Sequence, residues 1–179
     1  MSPRGRLASR IMVEPYGILR IRTAQARDAM AIARMANSLA QATGSGPGAM
    51  TAAAVIRDLI EADGLTPIVA VRGRDVLGYA LYSTDYETAH AARGLYVADL
   101  YVEEAVRGTG IARALMQELA RRCLADGGRF LWWMVMDTNE TAQGFYDRLG
   151  ATRDAVSARA VFDAPFEALL ANPAREAKA

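Results

Sequence analysis

Apolar and polar positions follow two rhythms along this chain, and together they predict most of its elements. Residues 18–22 alternate with period two, as a half-buried strand does, whereas residues 110–124 place Ile111, Leu115 and Leu119 at helical spacing. Glycines end several of these runs, as they do helices and turns. In chain order the pattern predicts a strand over 18–22, helices over 28–42 and 51–62, strands over 68–71, 76–82 and 94–102, a helix over 110–124, a strand over 130–136, a helix over 139–149, a strand over 158–162 and a short helix over 165–171.

Two of the predicted strands carry apolar residues at nearly every position. Residues 94–102 and 130–136 have this character, which is typical of strands that are covered on both faces. The element order therefore predicts an α/β fold of the α+β kind, a mixed sheet with helices on both faces. We expect one domain over residues 17–171, with a flexible extension over 1–16 and a frayed tail over 172–179.

Composition and charge exclude several classes of protein. Hydrophobic residues make up 52% and charged residues 23%, which is the composition of a globular protein, and the net charge of +1 does not point to a nucleic-acid binder. No apolar run approaches the roughly 20 residues of a membrane helix. The single cysteine, Cys123, falls among apolar helix positions and is expected in the core, and the lone His90 is expected in solvent. We expect a cytoplasmic protein with neither a nucleic-acid nor a membrane partner.

The junction between the strand over 94–102 and the helix that follows carries the first chemical signal. Two glycines there allow a tight turn and a close approach to a ligand, and the helix start offers free N–H groups, so the junction suits a pyrophosphate. A dinucleotide-binding fingerprint would need a third glycine where Arg113 stands, and a P-loop would need Gly-Lys-Ser/Thr. The pattern Arg/Gln-x-x-Gly-x-Gly/Ala fits each residue, although a glycine turn without a ligand stays open. The run reads Arg107-Gly108-Thr109-Gly110-Ile111-Ala112.

A second segment follows after one helix and one strand. With the first motif it resembles the GNAT acetyltransferase superfamily, which pairs the arginine–glycine loop with Asn-x-x-Ala-x-x-Phe-Tyr-x-x-x-Gly-Phe/Ala. The likeness spans roughly residues 18–162. The segment reads Asn139-Glu140-Thr141-Ala142-Gln143-Gly144-Phe145-Tyr146-Asp147-Arg148-Leu149-Gly150-Ala151.

The resemblance implies a GNAT fold with a mostly antiparallel central sheet, acetyl-CoA as acetyl donor, no metal, and transfer to a primary amine of a small molecule. It implies that Tyr146 protonates the departing thiolate; the alternative is a core tyrosine. Many members of the family are dimers, so the resemblance also implies a homodimer. The residues implied in binding acetyl-CoA are Leu100, Tyr101, Val102, Arg107, Gly108, Thr109, Gly110, Ile111, Ala112, Arg113, Asn139, Ala142, Phe145 and Tyr146.

Within the superfamily the chain looks most like the diamine and polyamine acetyltransferases. Their Gly-Phe-Ala-Met-Tyr corresponds to residues 78–82 here, and their Leu-Tyr-Leu-Glu-Asp-Phe-Phe-Val corresponds to residues 95–102. The glutamate thought to help deprotonate the amine aligns with Ala98, which leaves the base unassigned. Asp99 beside it is a carboxylate in an apolar strand. Two interpretations of it stand equal: it attracts or deprotonates an ammonium substrate, or it accepts backbone hydrogen bonds and organises the strand.

Two further questions stay open on the sequence. Four loop carboxylates either add negative charge around an acceptor site or are simply solvated: Asp85, Glu87, Asp137 and Glu140. One of the two tryptophans, Trp132 or Trp133, lines that site, or both belong to the core. The rival function is a non-catalytic module that binds or senses acyl-CoA. Amino acids, antibiotics, and protein N-termini or lysines are alternative acceptors.

Overall fold

The structure, a computed structural model, describes residues 13–14 and 17–171 of the 179. They fall into two compact units that divide after Gly144. The first unit holds the strands β1 (Val13–Glu14), β2 (Gly17–Thr23), β3 (Thr66–Arg72), β4 (Asp75–Glu87), β5 (Ala92–Val102) and β6 (Phe130–Trp132), with helices α1 (Ala29–Ala42), α2 (Ala52–Ala54, continued as π-helix over Val55–Ile60) and α3 (Ile111–Ala125). Helix α4 (Glu140–Asp147) crosses the division, and α5 (Asp163–Ala171) lies in the second unit.

The sheet follows the order of the chain, β1 to β6, and each neighbouring pair is antiparallel except the last. Strand β6 runs parallel to β5, because α3 carries the chain back along the sheet between them. The predicted fold class, a mostly antiparallel mixed sheet flanked by helices, is confirmed.

The core forms on two faces of the sheet because side chains alternate along each strand. On one face, α1 and the π-helical segment bury Ile32, Met35 and Val55 against Val69 and Tyr79. The other face packs against α3, which contacts β3, β4, β5 and β6. Its inward stripe is buried as predicted, including Cys123; the stripe comprises Ile111, Leu115, Met116, Leu119 and Cys123.

One predicted strand is shorter than expected, and another does not form. The strand expected over 130–136 covers only Phe130–Trp132, and it is not buried on both faces: Met134 and Met136 are exposed. No strand forms over 158–162, where Val161 and Phe162 are exposed and the backbone has no regular structure. A strand needs a neighbour for its backbone groups, and apolar sequence alone does not supply one.

The other boundaries stay close to the sequence pattern, except that β4 runs to Glu87 and not to the predicted end at Tyr82. The helix expected over 51–62 is capped by Thr51, whose hydroxyl accepts from the Ala54 N–H at 3.1 Å, and it ends at Ile60. The short C-terminal helix forms. Val13 and Glu14, within the expected extension over 1–16, pair with Ile18 and Gly17. The rest of that extension and the predicted frayed tail lie outside the described residues, and the single domain stays a prediction. No helix among residues 17–171 is long and apolar enough to cross a membrane.

Among the described residues, one charged side chain, Asp28, is buried in the core at the start of α1. Asp28 is 3% exposed; it accepts from both terminal nitrogens of Arg22, at 2.6 and 2.9 Å, and from the Gln25 N–H at 2.8 Å. Burial raises the pKa of Asp28, but the bonds from Arg22 and Gln25 outweigh it and hold the pKa below its ordinary value. The pair ties the end of β2 to α1.

Removing this carboxylate should destabilise the fold. Asp28→Ala leaves the half-buried Arg22 without its partner, and we expect the free energy of unfolding in urea to fall by about 2–4 kcal/mol at pH 7. Because folding lowers the pKa of Asp28, its contribution to stability is present above the unfolded-state pKa and is lost as the pH falls through the folded-state pKa. The difference in free energy of unfolding between the wild type and Asp28→Ala should therefore become smaller in acid. The control is Asp58→Ala, which removes an exposed bidentate pair with Arg57 and should change the urea midpoint little. Equal losses from both variants would contradict the prediction.

Candidate active site

The junction between β5 and α3 is built by a short turn and two glycines. A 3-10 turn over Glu104–Val106 leaves β5, and α3 then begins after Gly110. Gly108 and Gly110 have φ of +78° and +89°, a left-handed region that other residues adopt at a cost, and a Cβ on either would meet nothing within 4 Å. The backbone conformation therefore requires these glycines, and open space lies in front of them.

The start of α3 has the character of an anion site. The first N–H groups of the helix have no intrahelical partner, because the helical hydrogen bonds begin with Ala114 N–H to the Gly110 carbonyl at 2.9 Å. Gly110 has no side chain that could cap them. The positive end of the helix dipole adds to these donors. Thr109 turns its hydroxyl back to the Val106 carbonyl at 2.7 Å, which stiffens the loop. Such donors suit an anion, and the binding of a pyrophosphate at this junction stays a prediction.

Arg107, the first residue of the motif, is folded back onto the strand. Its Nε donates to the Val102 carbonyl at 3.1 Å, and its guanidinium lies 5.3 Å from the centre of the Tyr101 ring. A terminal nitrogen reaches Glu104 at 3.4 Å. These contacts hold the loop against the end of β5, which gives Arg107 a structural role beside the predicted one in binding.

Strands β5 and β6 pair over only three residues. Gly94, Leu95 and Tyr96 face Phe130, Leu131 and Trp132, and then the pairing ends while β5 continues to Val102. Over 97–102, β5 is paired with β4 along one edge and with no strand of the described chain along the other. That second edge carries the backbone of Leu100, Tyr101 and Val102, three of the residues that the resemblance implies in binding acetyl-CoA.

A β-bulge interrupts β5 at Ala98, the position that the sequence resemblance aligns with a glutamate. Leu81 pairs with Asp99 and Tyr82 pairs with Val97, so Ala98 is the extra residue, and it is exposed. Directly opposed residues share a face, so Asp99 points to the side of Leu81 and α1 while Val97 points to the other. Without the bulge both residues would face the same way.

Asp99 is held by a buried tyrosine. The Tyr79 hydroxyl donates to Asp99 Oδ2 at 2.7 Å, and the whole Tyr79 side chain is inaccessible to solvent. Burial raises the pKa of Asp99 above its ordinary value, and the bond from Tyr79 opposes that rise. Burial and the adjacent Asp99 raise the pKa of Tyr79, so its hydroxyl keeps its proton and acts as the donor. The sequence indicated Asp99 but not Tyr79; the available signal was a hydroxyl where the similar motif has phenylalanine.

The second motif lies on α4 and serves first as a helix start. Asn139 Oδ1 accepts from the Ala142 N–H at 3.1 Å, as an N-cap does. In the second unit, Phe145 and Tyr146 lie with ring centres 5.2 Å apart, and burial raises the pKa of Tyr146 to about 12. Its phenol therefore carries its proton throughout the neutral range. The helix is shorter than predicted, and Ala142, Phe145 and Leu149 are half-buried rather than fully inward.

Some of the acidic residues expected around an acceptor have local partners. Asp85 accepts from the Trp132 indole N–H, and Trp132 is partly exposed and lies against the Tyr96 ring at 4.6 Å between centres. Glu87 bonds the exposed His90. Trp132 is thus a surface residue, which corrects the view that it belongs to the core. Asp137 and Glu140 are exposed.

The fold and the paired motifs define a class, and comparison with protein families gives it a name. The model of the acetyltransferase (GNAT) family matches residues 33–151, about two thirds of the chain. The chain therefore belongs to the GNAT acetyltransferase family, which confirms the resemblance at that level.

Individual relatives match over shorter stretches. L-ornithine N5-acetyltransferase of Arabidopsis thaliana is 30% identical over 76 residues, 42% of this chain and 33% of that protein. Thialysine N-epsilon-acetyltransferase of Bos taurus is 36% identical over 80 residues, 45% of this chain and 46% of that protein. The matched stretch thus spans a third to about half of each relative. An integron cassette protein from V. cholerae superposes with a TM-score of 0.70 at 24% identity, over 87% of this chain and 98% of that one, which shows the fold.

The cap at Asn139 can be tested by itself. Asn139→Ala removes the acceptor for the Ala142 N–H, and we expect the free energy of unfolding to fall by about 1 kcal/mol in urea denaturation. Asn139→Asp keeps a capping oxygen and should retain wild-type stability. Loss of stability in both variants would show that the amide group of Asn139 has another partner and that capping is not its role.

Proposed function

We propose that this protein is an acetyl-CoA-dependent N-acetyltransferase that moves an acetyl group to a primary amine of a small molecule. The observation that carries the proposal is the β5–α3 junction, where two left-handed glycines open onto an uncapped helix start. Just before it, β5 keeps one edge without a strand partner over 97–102. A pyrophosphate binds at such a helix start, and an extended amide arm binds along such an edge.

The acceptor is an amine that carries a positive charge in solution. Asp99 is a partly buried carboxylate whose hydrogen-bond partner, Tyr79, is neutral, and an ammonium group is the ligand that complements it. The names of the relatives point the same way, because ornithine and thialysine are small cationic amines. We therefore favour a diamine or an amino acid with a second amine over a protein N-terminus or lysine. A homodimer and a cytoplasmic location remain part of the proposal.

The chemistry is direct attack of the neutral amine on the thioester carbonyl. The ammonium of the acceptor first gives one proton to solvent; the C–N bond then forms and the C–S bond breaks, the nitrogen gives a second proton to solvent, and the departing thiolate gains one. A backbone N–H along the free edge at residues 100–102 polarises the carbonyl. Tyr146 supplies the proton to sulfur, and its motif position together with its protonated phenol supports this role. The amide bond formed in this way is the product.

Measurement of free thiol released from acetyl-CoA across a panel of amines tests the function. The panel should contain ornithine, 1,4-diaminobutane, butylamine and a peptide with a free N-terminus. Release with the cationic diamines above the hydrolysis background supports the proposal. If acetyl-CoA binds and no amine gives turnover, the chain is an acyl-CoA-binding module, an outcome that Ala98 in place of glutamate makes worth testing.

Binding of acetyl-CoA should depend on Gly110. Gly110→Val places a branched side chain in the open space at the helix start and forces the backbone out of its left-handed conformation, so acetyl-CoA affinity should fall at least tenfold by calorimetry. The matched control is Gly73→Val, since Gly73 also has a positive φ and open space but lies in the β3–β4 turn. The control should lose stability similarly and bind normally. Equal affinity of the two folded variants would refute the site.

Tyr146→Phe should reduce the chemical step. The variant keeps the ring and removes the hydroxyl, so acetyl-CoA affinity should hold while kcat falls by about 10²- to 10⁴-fold. Slow product release can hide such a loss, so the rate should be measured in a single turnover. A single-turnover rate equal to that of the wild type would make Tyr146 a packing residue. The thiolate would then take its proton from water.

A further inference from the structure

We propose that Tyr79 is a positioning residue that fixes the Asp99 carboxylate as the anionic contact for the ammonium group of the acceptor. The inference rests on the proposed function for the identity of the acceptor. It gives the fully buried Tyr79 side chain a role in substrate selection. It also explains how an acidic group is present near the acceptor although position 98 is alanine.

The sheet register brings the two side chains together. Tyr79 pairs with Tyr101 and Leu81 pairs with Asp99, so Tyr79 lies diagonally across from Asp99 on the same face. The hydroxyl donates to Oδ2 at 2.7 Å, no other described residue donates a hydrogen bond to the carboxylate, and the Asp99 side chain is partly accessible. A carboxylate fixed at one oxygen presents the other in a constant direction.

The bulge determines which way the carboxylate points. Because Ala98 is the extra residue, Asp99 falls on the α1 face, whereas a glutamate at position 98 would project from the bulge itself. The chain thus lacks an acid at the bulge and carries one at the next residue, supported by a hydroxyl from β4. The support is specific to tyrosine, since phenylalanine has no donor.

The charges around Asp99 do not provide an alternative partner. On α1, which packs over this face, Arg34 is the charged residue, and it pairs with Glu103 at 2.7 Å. On β4 the same face carries Asp85, which accepts from Trp132. On β5 it carries the Tyr101 ring, under Arg107. Among the described residues, Tyr79 is the group that lowers the pKa of Asp99 against its burial. An arriving ammonium would be the first cation to meet the carboxylate.

The first test measures the pair without any turnover. Carboxyl ¹³C NMR should follow the titration of Asp99, its signal identified by its loss in Asp99→Asn. In Tyr79→Phe the donor to Oδ2 is gone, so the Asp99 pKa should move higher than in the wild type. Addition of 1,4-diaminobutane should shift the Asp99 signal in the wild type. If neither change occurs, the proposal is wrong whether or not the protein is an acetyltransferase.

The second test uses kinetics with a matched tyrosine. Asp99→Asn should raise the KM for 1,4-diaminobutane about tenfold or more, and more than for butylamine, with acetyl-CoA affinity unchanged. Tyr79→Phe should raise the same KM and move the acid limb of kcat/KM to higher pH, because the carboxylate is active above its pKa. Tyr82→Phe is the control: its hydroxyl bonds Arg122 on the other face, and it should leave both unchanged.

A purely structural tyrosine would give a different result. Tyr79→Phe would then lower the free energy of unfolding while the KM and the acid limb stayed at wild-type values, which would overturn the inference. If the wild type shows no thiol release with any amine, the proposed function fails. The NMR titration still decides whether Tyr79 holds Asp99 and whether a diamine binds there.

Discussion

The antiparallel pairing of β4 with β5 is the interaction on which the site depends. It extends from Gly78–Val102 to Glu87–Ala92 and is broken only by the bulge at Ala98. Because of the bulge, Val97 and Asp99 point to opposite faces of the sheet. Asp99 therefore contacts Tyr79 on the α1 face, while Val97 lies on the α3 face. In a regular strand, Val97 and Asp99 would point to the same face of the sheet, and the Asp99 carboxylate would not lie beside the Tyr79 hydroxyl. The single extra residue therefore couples the packing of both layers to the position of the acid.

The two ends of β5 are paired differently in the sheet. Residues 94–96 pair on both edges, with β4 and with β6. The last residues of β5 pair on one edge and lead into the glycine turn and the free start of α3. A ligand with an anionic end and an extended amide arm complements that arrangement, because the unpaired backbone groups are directional and already in place. Membership of the acetyltransferase family and this geometry thus support one another.

Hydrogen bonds to the backbone explain several residues that the family motifs contain. Arg107 holds the carbonyl of Val102, Thr109 holds that of Val106, and Asn139 caps α4. Each of these contacts organises a turn next to a proposed binding group. Motif residues in this protein therefore combine a local structural function with any contact to a ligand, and variants at these positions need stability measured beside binding.

The sequence by itself determined the elements whose signal is local. Period, caps and glycines predicted α1, α3, α4 and the β3–β4 hairpin, and Gly108 and Gly110 predicted the tight turn before α3, because turn conformation and helix ends depend on neighbouring residues. Only the tertiary structure decided the bulge at Ala98, the bond from Tyr79 to Asp99 and the short reach of β6. These depend on register between distant strands, which is set by pairing and packing and has no local signature. For the same reason the apolar runs at 133–136 and 158–162 predicted strands that do not form, since a strand requires a partner as well as a suitable sequence.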